Sequence, residues 1–79
     1  MSVVLRRNGF KVRIYSDDHR PPHVHVVKAN EEIIINLGDE TEPLSISEAW
    51  MNRADARRAV AIVEEHRLFL LEKWREVHG

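Results

Sequence analysis

Cysteine is absent from the sequence, so no disulfide can staple the fold and no thiolate can ligate a metal. A reducing, cytoplasmic setting is the expectation that follows. Long apolar runs are also missing: no stretch approaches the ~20 residues that a bilayer span needs, so no membrane association is expected. Arginines interrupt the apolar start after Leu5, and nothing there resembles a secretory leader. Glycine is scarce, with three in the chain, and no glycine-rich phosphate loop or nucleophile elbow occurs. A nucleotide cofactor therefore has no support, and Ser45 and Ser47 lie in no motif that supplies a base. At 79 residues the chain reads as a single domain over 1–79, near the size where one core just suffices.

What is present is unevenly placed. The net charge is −1, but residues 1–28 carry +4, residues 29–50 carry −6 and residues 51–79 carry +1. The basic third also holds three histidines within seven residues. Such asymmetry points to an anionic ligand at the N-terminal end and a cationic partner or face elsewhere.

"VVLRRNGFKVRIYS" predicts a β-hairpin, because Asn8-Gly9 suits a type I′ turn. The register places Val3, Leu5, Phe10, Val12 and Ile14 on one face, and Val4, Arg6, Lys11, Arg13 and Tyr15 on the other. Asp17 to Pro22 form a loop that the two prolines stiffen. "HVHVVK" follows as a strand with Val24 and Val26 to one side and His23 and His25 to the other. "EEIIINL" is a fourth strand, apolar on both faces and hence central or doubly covered. "LSISEAWM" reads either as a short edge strand or as the first turn of a helix. After Asn52, a suitable N-cap, one long amphipathic helix is expected over 53–77, with a break possible near His66-Arg67. The predicted architecture is a two-layer α+β domain. A mainly antiparallel four-stranded sheet, hairpin first, fills a β-rich part over 1–46, and a C-terminal helix over 52–78 covers one face.

Three readings compete for the histidines. Asp17, Asp18 and His19 can simply cap a turn, with His23 and His25 as half-buried strand residues. Alternatively His19, His23 and His25, with Asp18, can ligate a metal such as zinc, since H-x-H on a strand sends two imidazoles the same way, ~7 Å apart at the backbone. Finally, His23 and His25, with His19, can supply base and acid to a phosphodiester. Lys11, Arg13 and Arg20 would then hold phosphate, and Tyr15 would stack a base. His66 and His78 are distant on the helix, and His66 reads as packing or surface.

The D-H-x-P-P-H-V-H-V core, here Asp18, His19, Pro21, Pro22, His23, Val24, His25 and Val26, resembles the bacterial family catalogued as domain of unknown function 4160. Leu70, Leu71, Trp74, His78 and Gly79 are similar to that family's helix ending, whereas Trp50-Met51 departs from or extends its pattern. The resemblance implies a short stand-alone protein encoded beside a second small protein, an arrangement like toxin–antitoxin pairs. It transfers no catalytic residue.

Two classes of function follow as expectations. One is a toxin-like ribonuclease or other phosphodiesterase using the clustered histidines. The other is a non-enzymatic module that binds a small partner protein, a second copy as a homodimer, or nucleic acid. The acidic run 31–48, the apolar "IIINL" and the candidates Trp50 and Met51 motivate the second class. Arg53, Arg57 and Arg58 open the helix, but no helix-turn-helix spacing accompanies them.

Overall fold

A computed structural model describes residues 2–39 and 41–79. The elements are β1 (Ser2–Arg7), β2 (Phe10–Ile14), β3 (His23–Lys28), β4 (Glu31–Asn36), β5 (Ser45–Trp50), α1 (Arg53–Glu65) and α2 (Arg67–His78). The strands form one antiparallel meander in the order β1-β2-β3-β4-β5, and the domain is α+β. Two expectations are corrected: the sheet has five strands rather than four, and the C-terminal segment is two helices rather than one.

The hairpin turns at Asn8 (φ 50°) and Gly9 (φ 85°), as a type I′ turn demands. Arg7 faces Phe10 and Leu5 faces Val12, the expected register. A bulge between Val3 and Leu5 then sets Val3 opposite Arg13 instead of Ile14. Val3 thus leaves the core stripe, and Val4, expected on the far face, packs with Leu5 against the core.

Phe10, Val12, Ile14, Val24, Val26, Ile33, Ile35 and Leu37 cover one sheet face and meet Ala59, Ile62, Val63, Leu70, Leu71 and Trp74 from the helices. Each large side chain buried this way contributes about 1.5–3 kcal/mol before entropy is charged against it. β4 lies between β3 and β5, with Ile33 and Ile35 buried in the core and Ile34 half-buried on its other face. "SISEAW" takes the strand alternative and forms the edge, with all six residues exposed.

A continuous helix over 53–77 would run ~37 Å, against a longest extent of 32 Å for the molecule as folded. His66 interrupts it, its backbone N–H shared between the Ile62 and Val63 carbonyls. Neither helix is long and apolar enough to cross a membrane.

Two polar clusters tie the helices down. Asn52 caps α1 by accepting from the Asp55 backbone N–H at 2.9 Å. Asp55 in turn accepts from Lys28 at 3.1 Å and Arg58 at 2.9 Å. At the start of α2, Arg67 donates to the Leu37 carbonyl at 2.6 Å and to those of Asp39 and Glu42, clamping the β4–β5 connection. Gly38 (φ 67°) begins that connection, and a Cβ there would collide with the carbonyls of Glu42 and Pro43.

Asp39 and Asp55 are both held below the ordinary carboxyl range. The Thr41 backbone N–H is the main cause at Asp39 and the Asn52 side chain at Asp55, with Lys28 next. Carboxyls depressed by folding stabilise fully above their unfolded value, about 4, and lose that contribution as pH falls through the folded one. The urea midpoint is therefore expected to fall on acidification below about pH 4, and Asp55→Asn to flatten the fall. Equal pH slopes for the two proteins would contradict this.

Candidate functional site

The site grows from the alternation of β3. Val24 and Val26 are fully buried in the core, so His23 and His25 emerge on the other sheet face. The chain then supplies an acid from the preceding loop. The Asp18 backbone N–H donates to the Tyr15 carbonyl at 3.1 Å, and the Tyr15 N–H donates to the Asp18 carboxylate at 3.2 Å. These reciprocal bonds fold Asp18 back over the strand.

Its carboxylate meets both imidazoles through the same ring atom. Nε2 of His23 lies 3.5 Å from Asp18 Oδ1, and Nε2 of His25 lies 3.3 Å from the same carboxylate. The other ring nitrogens are held from behind. Nδ1 of His23 faces the Pro21 carbonyl at 2.8 Å, and Nδ1 of His25 faces Glu32 Oε2 at 3.0 Å. A carbonyl only accepts, so Nδ1 of His23 is the donor, and a neutral ring then turns a bare lone pair toward a carboxylate. A cation relieves that opposition, either a proton on Nε2 or a metal ion between the groups.

The spacing suits a metal. The ligand atoms of Asp18, His23 and His25 all lie within 4.8 Å of one another. A tetrahedral ion with bonds of ~2.0–2.1 Å places its ligands ~3.3 Å apart, close to the two Asp18–imidazole distances. Two imidazoles and one carboxylate leave further positions open for water or substrate. Glu32 and the Pro21 carbonyl would then be the outer acceptors that orient the histidines of such a site. The three side chains are 13–16 % exposed, enough for solvent to reach them.

The surroundings are aromatic and basic. The Tyr15 ring meets His25 edge-on at 4.7 Å, and the rings of His23 and Trp74 lie 5.2 Å apart. Arg13 is the ladder partner of His25, and its Nε is buried with no acceptor among the described residues. Lys11 is exposed one step further along β2, opposite Val27. His19 is exposed and makes no hydrogen bond among the described residues, outside the cluster. Arg20 is likewise outside it, on the rim of a separate cleft.

Three contributors were not singled out from sequence. Glu32 was within reach: a two-residue turn pairs Val27 with Glu32, which parity places on the histidine face. Trp74 and His78 were not. His78 stacks on Trp74 at 3.6 Å and contacts the Tyr15 carbonyl at 3.1 Å, a contact 63 residues apart in sequence.

The chain belongs to the family described as domain of unknown function (DUF4160), whose model matches residues 9–75. That span contains the whole Asp18–His23–His25 cluster together with Glu32 and Trp74. No curated protein and no solved structure matches the chain.

Calorimetric titration of the metal-free protein with zinc is expected to give one site per chain. His25→Ala is expected to abolish it, and Glu32→Gln to weaken it by about 10–100-fold. Zinc binding that both substitutions leave intact would place the ion elsewhere.

Proposed function

We propose that the protein is a small metal-dependent phosphodiesterase of the toxin-like ribonuclease kind, with Asp18, His23 and His25 holding a zinc-type ion. The observation that carries the reading is the convergence of two Nε2 atoms on one carboxylate, with each Nδ1 held by an acceptor. The metal-free alternative is less well served. Both Nε2 atoms already face Asp18, and a phosphate seated between them would meet that anion and Glu32 close by.

An ion held by Asp18, His23 and His25 would supply an activated water as nucleophile near neutral pH. The displaced oxygen would then need a proton from the protein. Arg13, the ladder partner of His25, would be the cation that holds a phosphoryl oxygen. Tyr15 offers a face for a base, and Lys11 a further charge along the strand. His19, next in the chain to Asp18, is the uncommitted imidazole available to protonate the leaving oxygen.

The test is cleavage of a fluorescently labelled single-stranded RNA by the zinc-loaded protein. Chelation is expected to stop it, zinc to restore it, and His23→Ala to slow it by at least roughly a hundredfold while the fold persists. Expression of the parent, but not of that variant, is expected to arrest bacterial growth. Cleavage that survives both chelation and His23→Ala would refute the reading.

A second reading, an interaction module, is favoured by one specific observation. β5 is a fully exposed edge strand, with Ile46 52 % and Trp50 58 % exposed. Such an edge accepts a strand from a small partner protein or a second copy. Sedimentation is then expected to show a dimer or a co-purified complex that Ile46→Lys disperses. A monomer at every concentration, with nothing bound, would remove this reading.

A further inference from the structure

On the far side of His23 lies a cleft of about 880 Å³ between the Pro21-Pro22 loop, the β4–β5 connection and α2. It shares two features with the Asp18–His23–His25 cluster. Pro21, whose carbonyl orients His23, lines it, and so does Trp74, whose ring lies 5.2 Å from that of His23. The volume falls within the range that takes a small organic ligand.

The lining has two parts. Pro22, Leu71 and Trp74 make an apolar wall, and Arg20, Arg67 and Arg75 bring positive charge. Arg67 is committed to the carbonyls of Leu37, Asp39 and Glu42, and the Asp39 carboxylate to Thr41 and Glu42. The Arg20 and Arg75 side chains have no partner among the described residues, and Glu42 is the unpaired acidic side chain in the lining. Trp74 on that wall is 1 % exposed, and its indole N–H is buried with no acceptor among the described residues. A buried donor without an acceptor is costly and is relieved by a ligand that brings one.

We propose that this cleft holds one nucleotide of the RNA strand whose phosphodiester is cut at the neighbouring Asp18–His23–His25 centre, its phosphate between Arg20 and Arg75. Its base lies against the apolar wall, and one of its polar atoms accepts from Trp74. The assignment of the strand rests on the phosphodiesterase reading; nucleotide binding itself does not require a metal.

The test is a titration of metal-free, ¹⁵N-labelled protein with adenosine monophosphate and, separately, with a four-nucleotide RNA, read at the two tryptophan indole N–H resonances. Adenosine monophosphate is expected to move the Trp74 resonance and leave that of the exposed Trp50 in place. Arg20→Gln with Arg75→Gln is expected to weaken binding roughly tenfold or more without changing zinc affinity. The tetranucleotide is expected to bind more tightly than the mononucleotide. A Trp74 resonance that stays still, or that moves equally in the double variant, overturns the site. A tetranucleotide no tighter than the mononucleotide overturns its assignment to a strand. Because the titration contains no metal, failure of the zinc site and failure of the cleft give separate results.

Discussion

The two-residue period of β3 is the constraint on which the rest depends. Val24 and Val26 fill the core at 0 % exposure, between Val12 and Ile14 of β2 and Ile33 and Ile35 of β4. A slip of one residue would expose both valines and bury two imidazoles, at a cost far above what a small domain can carry. The strength of the hydrophobic register therefore sets the direction of His23 and His25. Core and site are two faces of one pairing, which makes the placement of the imidazoles rigid rather than a matter of loop conformation. Only Asp18 comes from a loop, and its reciprocal bonds with Tyr15 anchor it to the end of β2.

The electrostatics of the cluster give that rigidity a consequence. Two carboxylates, Asp18 and Glu32, bracket His25, and one of them also faces His23. The same four groups would suit a divalent ion, which would need both imidazoles neutral. Glu32 would act differently from Asp18 toward such an ion. It contacts Nδ1, the nitrogen that does not face the cluster, and so orients the ring without occupying the position an ion would take.

Much of this was legible in the sequence, and the boundary of what was legible has physical causes. Asn8-Gly9 and the Val-His alternation are local signals, so the hairpin turn and the common face of the histidines followed directly. The bulge at Val3 and Leu5 was not legible, because an extra residue in one strand leaves the alternation on the other unchanged. β5 was ambiguous for a related reason: an edge strand exposed on both faces has no apolar period to announce it. The helix break at His66 leaves no proline or glycine, so one long helix was the simplest reading and the break near His66-Arg67 an alternative to it. The return of Asp18 to His23 and His25 depends on loop geometry, and the reach of His78 to Tyr15 on tertiary packing.

The C-terminal helix also reaches the site. Beyond the break at His66, Trp74 enters the core, stacks on His78 and lies against His23. His78 then bridges the Trp74 and Tyr15 carbonyls, so the end of α2 is bonded to the same residue that anchors Asp18. Both its ring nitrogens face acceptors, and a singly protonated ring donates to only one of them. Trp74 is thus a shared wall, with the histidine cluster on one side and the cleft at Arg20 and Arg75 on the other. A ligand that ordered this wall would act on His23 directly through packing, with no longer pathway needed. The helix ending is for that reason part of the site's construction and not only the cover of the sheet.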